Sequence, residues 1–111
     1  MFQTAERRRA KRYSIRLKVF EQETNTLLGY CEDISNSGLR LMSKTPPPSS
    51  KELKVWLDGT GNDYGIKLTL FRVWSSVTDT VPRYFYSGMH IVDPNEQTLD
   101  KIQDLIDDLF C

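Results

Sequence analysis

The sequence predicts an all-β fold, mainly β in content, built as a six-stranded antiparallel barrel with one C-terminal α-helix. Three observations predict it. Short segments alternate apolar and polar residues, turn-forming clusters separate these segments, and only the C-terminal segment has apolar residues at helical spacing. We expect a flexible basic arm over residues 1–13, the barrel over 14–92, and an amphipathic helix packed on the barrel over 93–111.

The first half of the barrel is predicted from alternation on either side of a tight turn. Ile15, Leu17 and Val19 alternate with more polar neighbours, which is typical of a half-buried strand. Residues 35–38 read Ser-Asn-Ser-Gly, a set of small residues that bond to the backbone and end in glycine. The predicted strands here are residues 14–20, 26–34 and 39–43.

The second half of the barrel follows a run of three prolines at residues 46–48, which cannot lie in a central strand and indicates a loop. Turn clusters at 59–63 and 78–82 separate the later segments. The predicted strands are residues 53–57, 66–74 and 84–92. Trp74 is expected to end its strand at a barrel mouth.

The C-terminal segment has the pattern of a helix start followed by one apolar face. Asp93 is the predicted N-cap, Pro94 the first helical residue, and Glu96 an acid in the first turn. The apolar face comprises Leu99, Ile102, Leu105, Ile106, Leu109 and Phe110.

Charge is distributed unevenly in this 111-residue chain, although its formal net charge is zero. Residues 1–20 contain seven Lys and Arg residues against one Glu, whereas residues 91–111 contain six Asp and Glu residues against one Lys. A basic N-terminal arm attracts anions, and we expect these to be phosphates.

Several functional classes are disfavoured by the residues present. The sequence shows neither a secretory signal nor an apolar run long enough to span a bilayer, so we expect a cytoplasmic protein without membrane insertion. Cys31, Cys111 and the single histidine, His90, make a disulfide or a metal site improbable. Without a nucleophile–base set or a phosphate loop, we expect neither an enzyme nor a cofactor.

The first motif that could bind a ligand is Arg8-Arg9-Ala10-Lys11-Arg12, an Arg-x-x-x-Arg spacing just before the first strand. The planar fork of arginine binds phosphate oxygens in pairs, and its flat face stacks on purine rings. Alone, the segment is also compatible with a solubilising or polyanion-binding tail. Its register is ambiguous because Arg12 and Arg16 repeat the spacing.

The second motif is Asp33-Ile34-Ser35-Asn36-Ser37-Gly38, an Asp-x-Ser-x-x-Gly pattern where a strand meets a turn. A carboxylate can accept two hydrogen bonds from the N1 and N2 edge of guanine. Ser35 can bond to phosphate or shape the turn, and Gly38 permits the turn. Alone, the pattern is also compatible with an ordinary hairpin turn. Together, the two motifs describe a site for a guanine nucleotide.

The pairing of these motifs resembles the signature of PilZ domains, bacterial receptors for the second messenger cyclic di-GMP. The resemblance covers nearly the whole chain, since Trp74 and Gly88 also fall where PilZ domains carry an aromatic residue and a late glycine. It implies a PilZ-type barrel and the register in which Arg8 and Arg12 are the motif pair.

The resemblance also implies which residues bind the ligand. Arg8 and Arg12 would contact phosphate and guanine, and Arg9 would be an auxiliary contact. Asp33, Ser35 and Gly38 would form the facing wall. The further auxiliary candidates are Arg7, Trp74 and Gly88.

The resulting hypothesis is a single-domain receptor and adaptor, a monomer or weak dimer. Cyclic di-GMP would order the arm over the barrel and change the surface shown to an unidentified protein effector, with motility or biofilm regulation among the compatible outputs. One alternative is a PilZ-like interaction scaffold that binds no nucleotide. Another is a nucleic-acid-binding barrel, which we disfavour because the predicted strands lack clustered aromatics among basic residues; we expect no DNA or RNA partner.

Overall fold

The computed structural model describes residues 13–58 and 65–110. Its strands are β1 (Tyr13–Glu21), β2 (Leu27–Ile34), β3 (Gly38–Ser43), β4 (Glu52–Leu57), β5 (Ile66–Val77) and β6 (Phe85–Ile91), followed by helix α1 (Glu96–Phe110). The strands close into a barrel in the order β1-β2-β3-β6-β5-β4, and all neighbouring pairs are antiparallel. The predicted fold class, an antiparallel six-stranded barrel with a C-terminal helix, is confirmed.

The inward-facing residues of the alternating strands fill the interior of the barrel. Val19, Leu39, Val55 and Leu70 are fully buried, each from a different strand. In β4 the burial alternates residue by residue, as expected for a strand with one face on the core. The apolar periodicity in the sequence therefore identifies the core side of the strands.

Strand β5 is longer than predicted, and the prediction that Trp74 ends it was wrong. The ladder with β6 continues beyond Trp74 through three more pairs, the last of which joins Val77 to Phe85. Ser75 and Ser87 face each other in this extension, with their hydroxyl oxygens 2.9 Å apart. Pairing with β6 therefore extends β5 through the polar residues Ser75 and Ser76. Trp74 lies on the sheet surface.

Helix α1 begins later than the sequence pattern suggests. The Oδ1 atom of Asn95 accepts a hydrogen bond from the Thr98 N–H at 2.8 Å, so Asn95 is the N-cap. Asp93, the predicted cap, instead has a φ of 40° in the preceding turn. The Val92 N–H still donates to the Thr69 carbonyl, so the chain leaves the sheet only there and needs a turn before the helix.

The apolar face of α1 packs into the core as predicted for the residues whose side chains are described. Ile102, Leu105 and Ile106 are buried and belong to the same cluster as the barrel residues. The side chains of Leu109 and Phe110 lie outside the described part of the chain. Among the described residues, no helix is both long and apolar enough to cross a membrane.

Four strand ends meet at one end of the barrel, which we call the proximal end. Tyr13 at the start of β1 pairs with Ile34 at the end of β2, and Gly38 at the start of β3 pairs with His90 near the end of β6. The Ile91 N–H also donates to the Ser37 carbonyl at 2.9 Å. The turn predicted from the second motif is thereby bonded to β6 at this end.

Candidate functional site

Asp33 lies on the outer surface of the barrel because β2 is irregular beside it. Cys31 and Ile34 are both fully buried although they are three residues apart, whereas strict alternation would place them on opposite faces. The register with β3 shifts between Cys31 and Asp33, and the register with β1 shifts at the same level. These bulges turn the Asp33 side chain outward, next to Ser14 of β1 and Arg40 of β3.

Ser35 shapes the turn that follows Asp33. Its side chain is fully buried, and its Oγ accepts hydrogen bonds from the N–H groups of Ser37 and Gly38, each at 3.3 Å. The Ser35 N–H in turn donates to the Gly38 carbonyl at 2.9 Å. Of the two roles open to Ser35 from the sequence, the structure shows the turn-shaping one.

Gly38 is required for a different reason from the one the sequence suggests. It does not have a positive φ, so the turn does not need the conformational freedom of glycine there. A Cβ at this position would lie 2.6 Å from the Met89 carbonyl oxygen of β6, far inside normal contact. Glycine is therefore needed because β3 and β6 approach closely at the proximal end.

Arg40 is a site residue that the sequence analysis missed. Its Nε lies 3.5 Å from Asp33 Oδ2, and its guanidinium carbon lies 5.1 Å from the centre of the Tyr86 ring. It belongs to neither motif. The alternation of β3 alone could have identified it, because Arg40 stands between the buried Leu39 and Leu41 and must point outward.

Gly88 and Trp74 lie on the next two strands beyond Arg40, so that Asp33, Arg40, Gly88 and Trp74 form one cross-strand row on the barrel surface. Arg40 pairs with Gly88 of β6, and Gly88 pairs with Trp74 of β5. The Trp74 indole covers Gly88 so closely that a Cβ there would overlap its Nε1, yet Trp74 remains 47% exposed. The structure thus brings both auxiliary candidates, through Arg40, onto the surface that carries Asp33.

A second arginine on this surface is arranged in a similar way. Arg16 forms an ion pair with Glu32 at 2.9 Å, and its guanidinium carbon is 5.7 Å from the centre of the Tyr30 ring. These residues lie on β1 and β2, further from the proximal end than Asp33. Arg16 is therefore comparable to Arg40: it has the same charge and the same kinds of partner, an acidic side chain and a tyrosine ring.

The predicted arginine contacts, Arg7, Arg8, Arg9 and Arg12, lie outside the described residues. Tyr13, which follows Arg12 in the sequence, pairs with Ile34, and the next residue, Ser14, pairs with Asp33. The first residues of β1 therefore lie beside Asp33 in the sheet.

Other titratable or metal-ligating groups add little to this surface. The buried Cys31 thiol donates to the Asp33 carbonyl at 3.3 Å, and His90 is exposed on β6. Among the described residues, no group of three or more His, Cys, Asp or Glu side chains could hold a metal ion.

The comparisons with known proteins agree on the fold. The PilZ domain family model matches residues 6–108. Three similar solved structures are of MrkH from K. pneumonia: the apo state (20% identity, TM-score 0.70), the complex with c-di-GMP (21%, 0.68), and a third described as a novel c-di-GMP dependence transcription regulatory factor (20%, 0.66). They cover 92%, 92% and 88% of this chain but only 50%, 52% and 48% of MrkH, so the chain spans about half of that protein's length. No curated protein matches significantly.

Proposed function

The chain belongs to the PilZ domain family, and from that premise we propose that it is a cytoplasmic receptor for cyclic di-GMP and has no enzymatic activity. The observation that carries the proposal is the placement of Asp33. Its carboxylate is turned outward at the proximal end, beside the strand start that directly follows Arg12 in the sequence. The MrkH complex with c-di-GMP supports the proposal, because MrkH contains this fold and binds the nucleotide.

The proposed contacts follow from the chemistry of guanine and phosphate. The Asp33 carboxylate accepts hydrogen bonds from guanine N1–H and N2–H, a pairing that adenine does not offer. Arg8 and Arg12, with Arg9 and then Arg7 as auxiliary contacts, bind phosphate and guanine.

The rest of the binding surface is supplied by the sheet. Ser35 and Gly38 contribute the wall beside Asp33, and the buried Ser35 hydroxyl does so by holding the turn in shape. Trp74, lying on Gly88, offers an exposed aromatic surface at the far end of the row.

The proposed consequence of binding is a change in the surface presented to a partner. The barrel holds Asp33 through paired strands, whereas the arginine motif belongs to the arm that precedes β1. Cyclic di-GMP bridges the two and orders the arm over the barrel, and a protein effector reads the altered surface. Regulation of motility or biofilm formation is a compatible output.

Titration calorimetry of the full chain with cyclic di-GMP, with GTP as the control ligand, tests the proposal. We expect binding of cyclic di-GMP, and a loss of affinity of about 10-fold or more in Asp33→Ala and in Arg12→Ala, because charge-assisted hydrogen bonds contribute ~1.5–3 kcal/mol. The matched controls are Asp79→Ala and Arg83→Ala, in the turn at the opposite end of the barrel, which should bind as the wild type does.

Three results would count against the proposal. A folded wild-type chain that binds no cyclic di-GMP would favour the interaction-scaffold alternative. Wild-type affinity in Asp33→Ala would remove the site assignment. Salt-dependent binding to single-stranded DNA or RNA, which we do not expect, would point to the nucleic-acid alternative.

A further inference from the structure

Strand β5 extends beyond its neighbour β4 and leaves one of its edges open. Glu52, the first residue of β4, pairs with Phe71, whereas β5 continues to Val77. Among the residues that the structure describes, residues 73–77 have a partner strand only on the β6 side. This segment, which we call the open edge, therefore presents backbone donors and acceptors to solvent along its other side.

The hydrogen bond that closes the β5–β6 hairpin shows which backbone groups point to the open side. The Thr78 N–H donates to the Tyr84 carbonyl at 2.8 Å, so the backbone groups of Thr78 point toward β6. These groups alternate in direction along a regular strand, and the register with β6 is regular from Trp74 to Val77. Ser75 and Val77 therefore direct their N–H and C=O groups away from β6, where another strand can pair with them.

The open edge lacks the charged and proline residues that usually protect a free strand edge from pairing. Residues 73–77 read Val-Trp-Ser-Ser-Val. Val73, Trp74 and Val77 are 67%, 47% and 49% exposed, respectively. A strand edge that combines exposed apolar side chains with open backbone groups is suited to bind another strand.

We propose that the open edge pairs with the open edge of a second copy of this chain, antiparallel and about a two-fold axis that passes beside Ser76. In this register Ser75 of each copy lies opposite Val77 of the other, and these two pairs exchange about four backbone hydrogen bonds. The two barrels are then joined through one continuous sheet. This inference goes beyond the proposed function and does not depend on nucleotide binding.

The charges around the open edge favour a second copy as the partner. The segment itself is uncharged, so pairing with its own copy opposes no like charges. Arg72 and Asp79 flank it at opposite ends, so antiparallel pairing brings Arg72 of each copy near Asp79 of the other. Asp79 is exposed, and Arg72 donates one N–H to the Pro47 carbonyl at 3.0 Å and keeps further donors for a carboxylate.

Sedimentation equilibrium of the full chain without nucleotide, from micromolar to millimolar concentration, tests the association. We expect a reversible monomer–dimer equilibrium, weak because a contact of this length buries less than about 1,200 Å². Val77→Lys places two lysines on one face of the paired segment and should weaken association by at least about 10-fold. The matched control is Val81→Lys, at a residue that is 94% exposed in the turn outside the open edge, which should associate as the wild type does.

Cysteine cross-linking tests the register. The two Ser76 residues that face each other across the axis form a pair without mutual backbone hydrogen bonds, in which the Cα atoms lie about 4.5 Å apart, within reach of a disulfide. In a Cys111→Ser background, Ser76→Cys should therefore give a disulfide-linked dimer on mild oxidation. Val81→Cys, at a more exposed position outside the open edge, should remain largely monomeric over the same time.

Each contrary result overturns the inference in a recognisable way. A wild type that stays monomeric at millimolar concentration leaves the open edge to a strand of another protein. A dimer that Val77→Lys does not weaken, or that Ser76→Cys cross-links no faster than Val81→Cys, has its interface elsewhere. Circular dichroism shows whether each variant is folded, and Ser76→Cys, a small change at an exposed position, decides the matter if Val77→Lys does not fold. Failure to bind cyclic di-GMP would overturn the proposed function alone.

Discussion

Replacing Gly38 with alanine tests the close approach of β3 to β6. The new methyl carbon would lie 2.6 Å from the Met89 carbonyl oxygen, whereas ordinary contacts to such an atom exceed about 3.4 Å. The clash is with backbone, so a side-chain rotation cannot relieve it. The two strands must separate by several tenths of an ångström along a ladder that joins Gly38 to His90 and Leu39 to Met89.

The magnitude follows from two opposing terms. Forcing a methyl group into a packed site typically costs about 1–3 kcal/mol of unfolding free energy. Gly38 has no positive φ, so alanine also gains about 0.4–1 kcal/mol by restricting the unfolded chain. We expect a net destabilisation of about 1–2 kcal/mol, equivalent to a melting temperature lower by roughly 4–8 °C for a domain of this size.

Urea and thermal unfolding followed by circular dichroism measure this change. Asn36→Ala, at an exposed position in the same turn, is the control and should unfold within about 1 °C of the wild type. If Gly38→Ala were as stable as the wild type or more stable, the close approach of β3 and β6 would be wrong. The need for glycine in the motif would then have to come from contact with the ligand.

Two further substitutions probe the same surface. Ser35→Ala leaves the buried Gly38 N–H and the partly buried Ser37 N–H without their hydroxyl acceptor. We therefore expect about 1–3 kcal/mol of destabilisation and weaker ligand binding, and unchanged denaturant stability would contradict the turn-shaping role. Gly88→Ala pushes the Trp74 indole off the sheet. Because Trp74 is half exposed and can rotate, the stability cost should stay below about 1 kcal/mol, while the tryptophan emission shifts relative to wild type; a spectrum identical to the wild type's would contradict the packing of Trp74 on Gly88.

Much of the fold was predictable because its signals are local. Alternation of apolar residues identifies the strands and their buried faces, and the helical spacing of Ile102, Leu105 and Ile106 identifies the helix face. Where the predictions failed, a tertiary contact outweighed the local signal. The Val92 hydrogen bond to Thr69 delays the start of the helix, and pairing with β6 carries β5 past Trp74.

The residue types of the candidate site are visible in the sequence, since Asp33, Ser35 and Gly38 form a motif within six consecutive residues. Which way these residues face was decided by the tertiary structure. The bulges that turn Asp33 outward are properties of strand pairs, and a shift of one residue in pairing reverses the face of a side chain. Arg40 and Tyr86 meet for the same reason: they are far apart in the chain, and only the pairing of β3 with β6 brings them together.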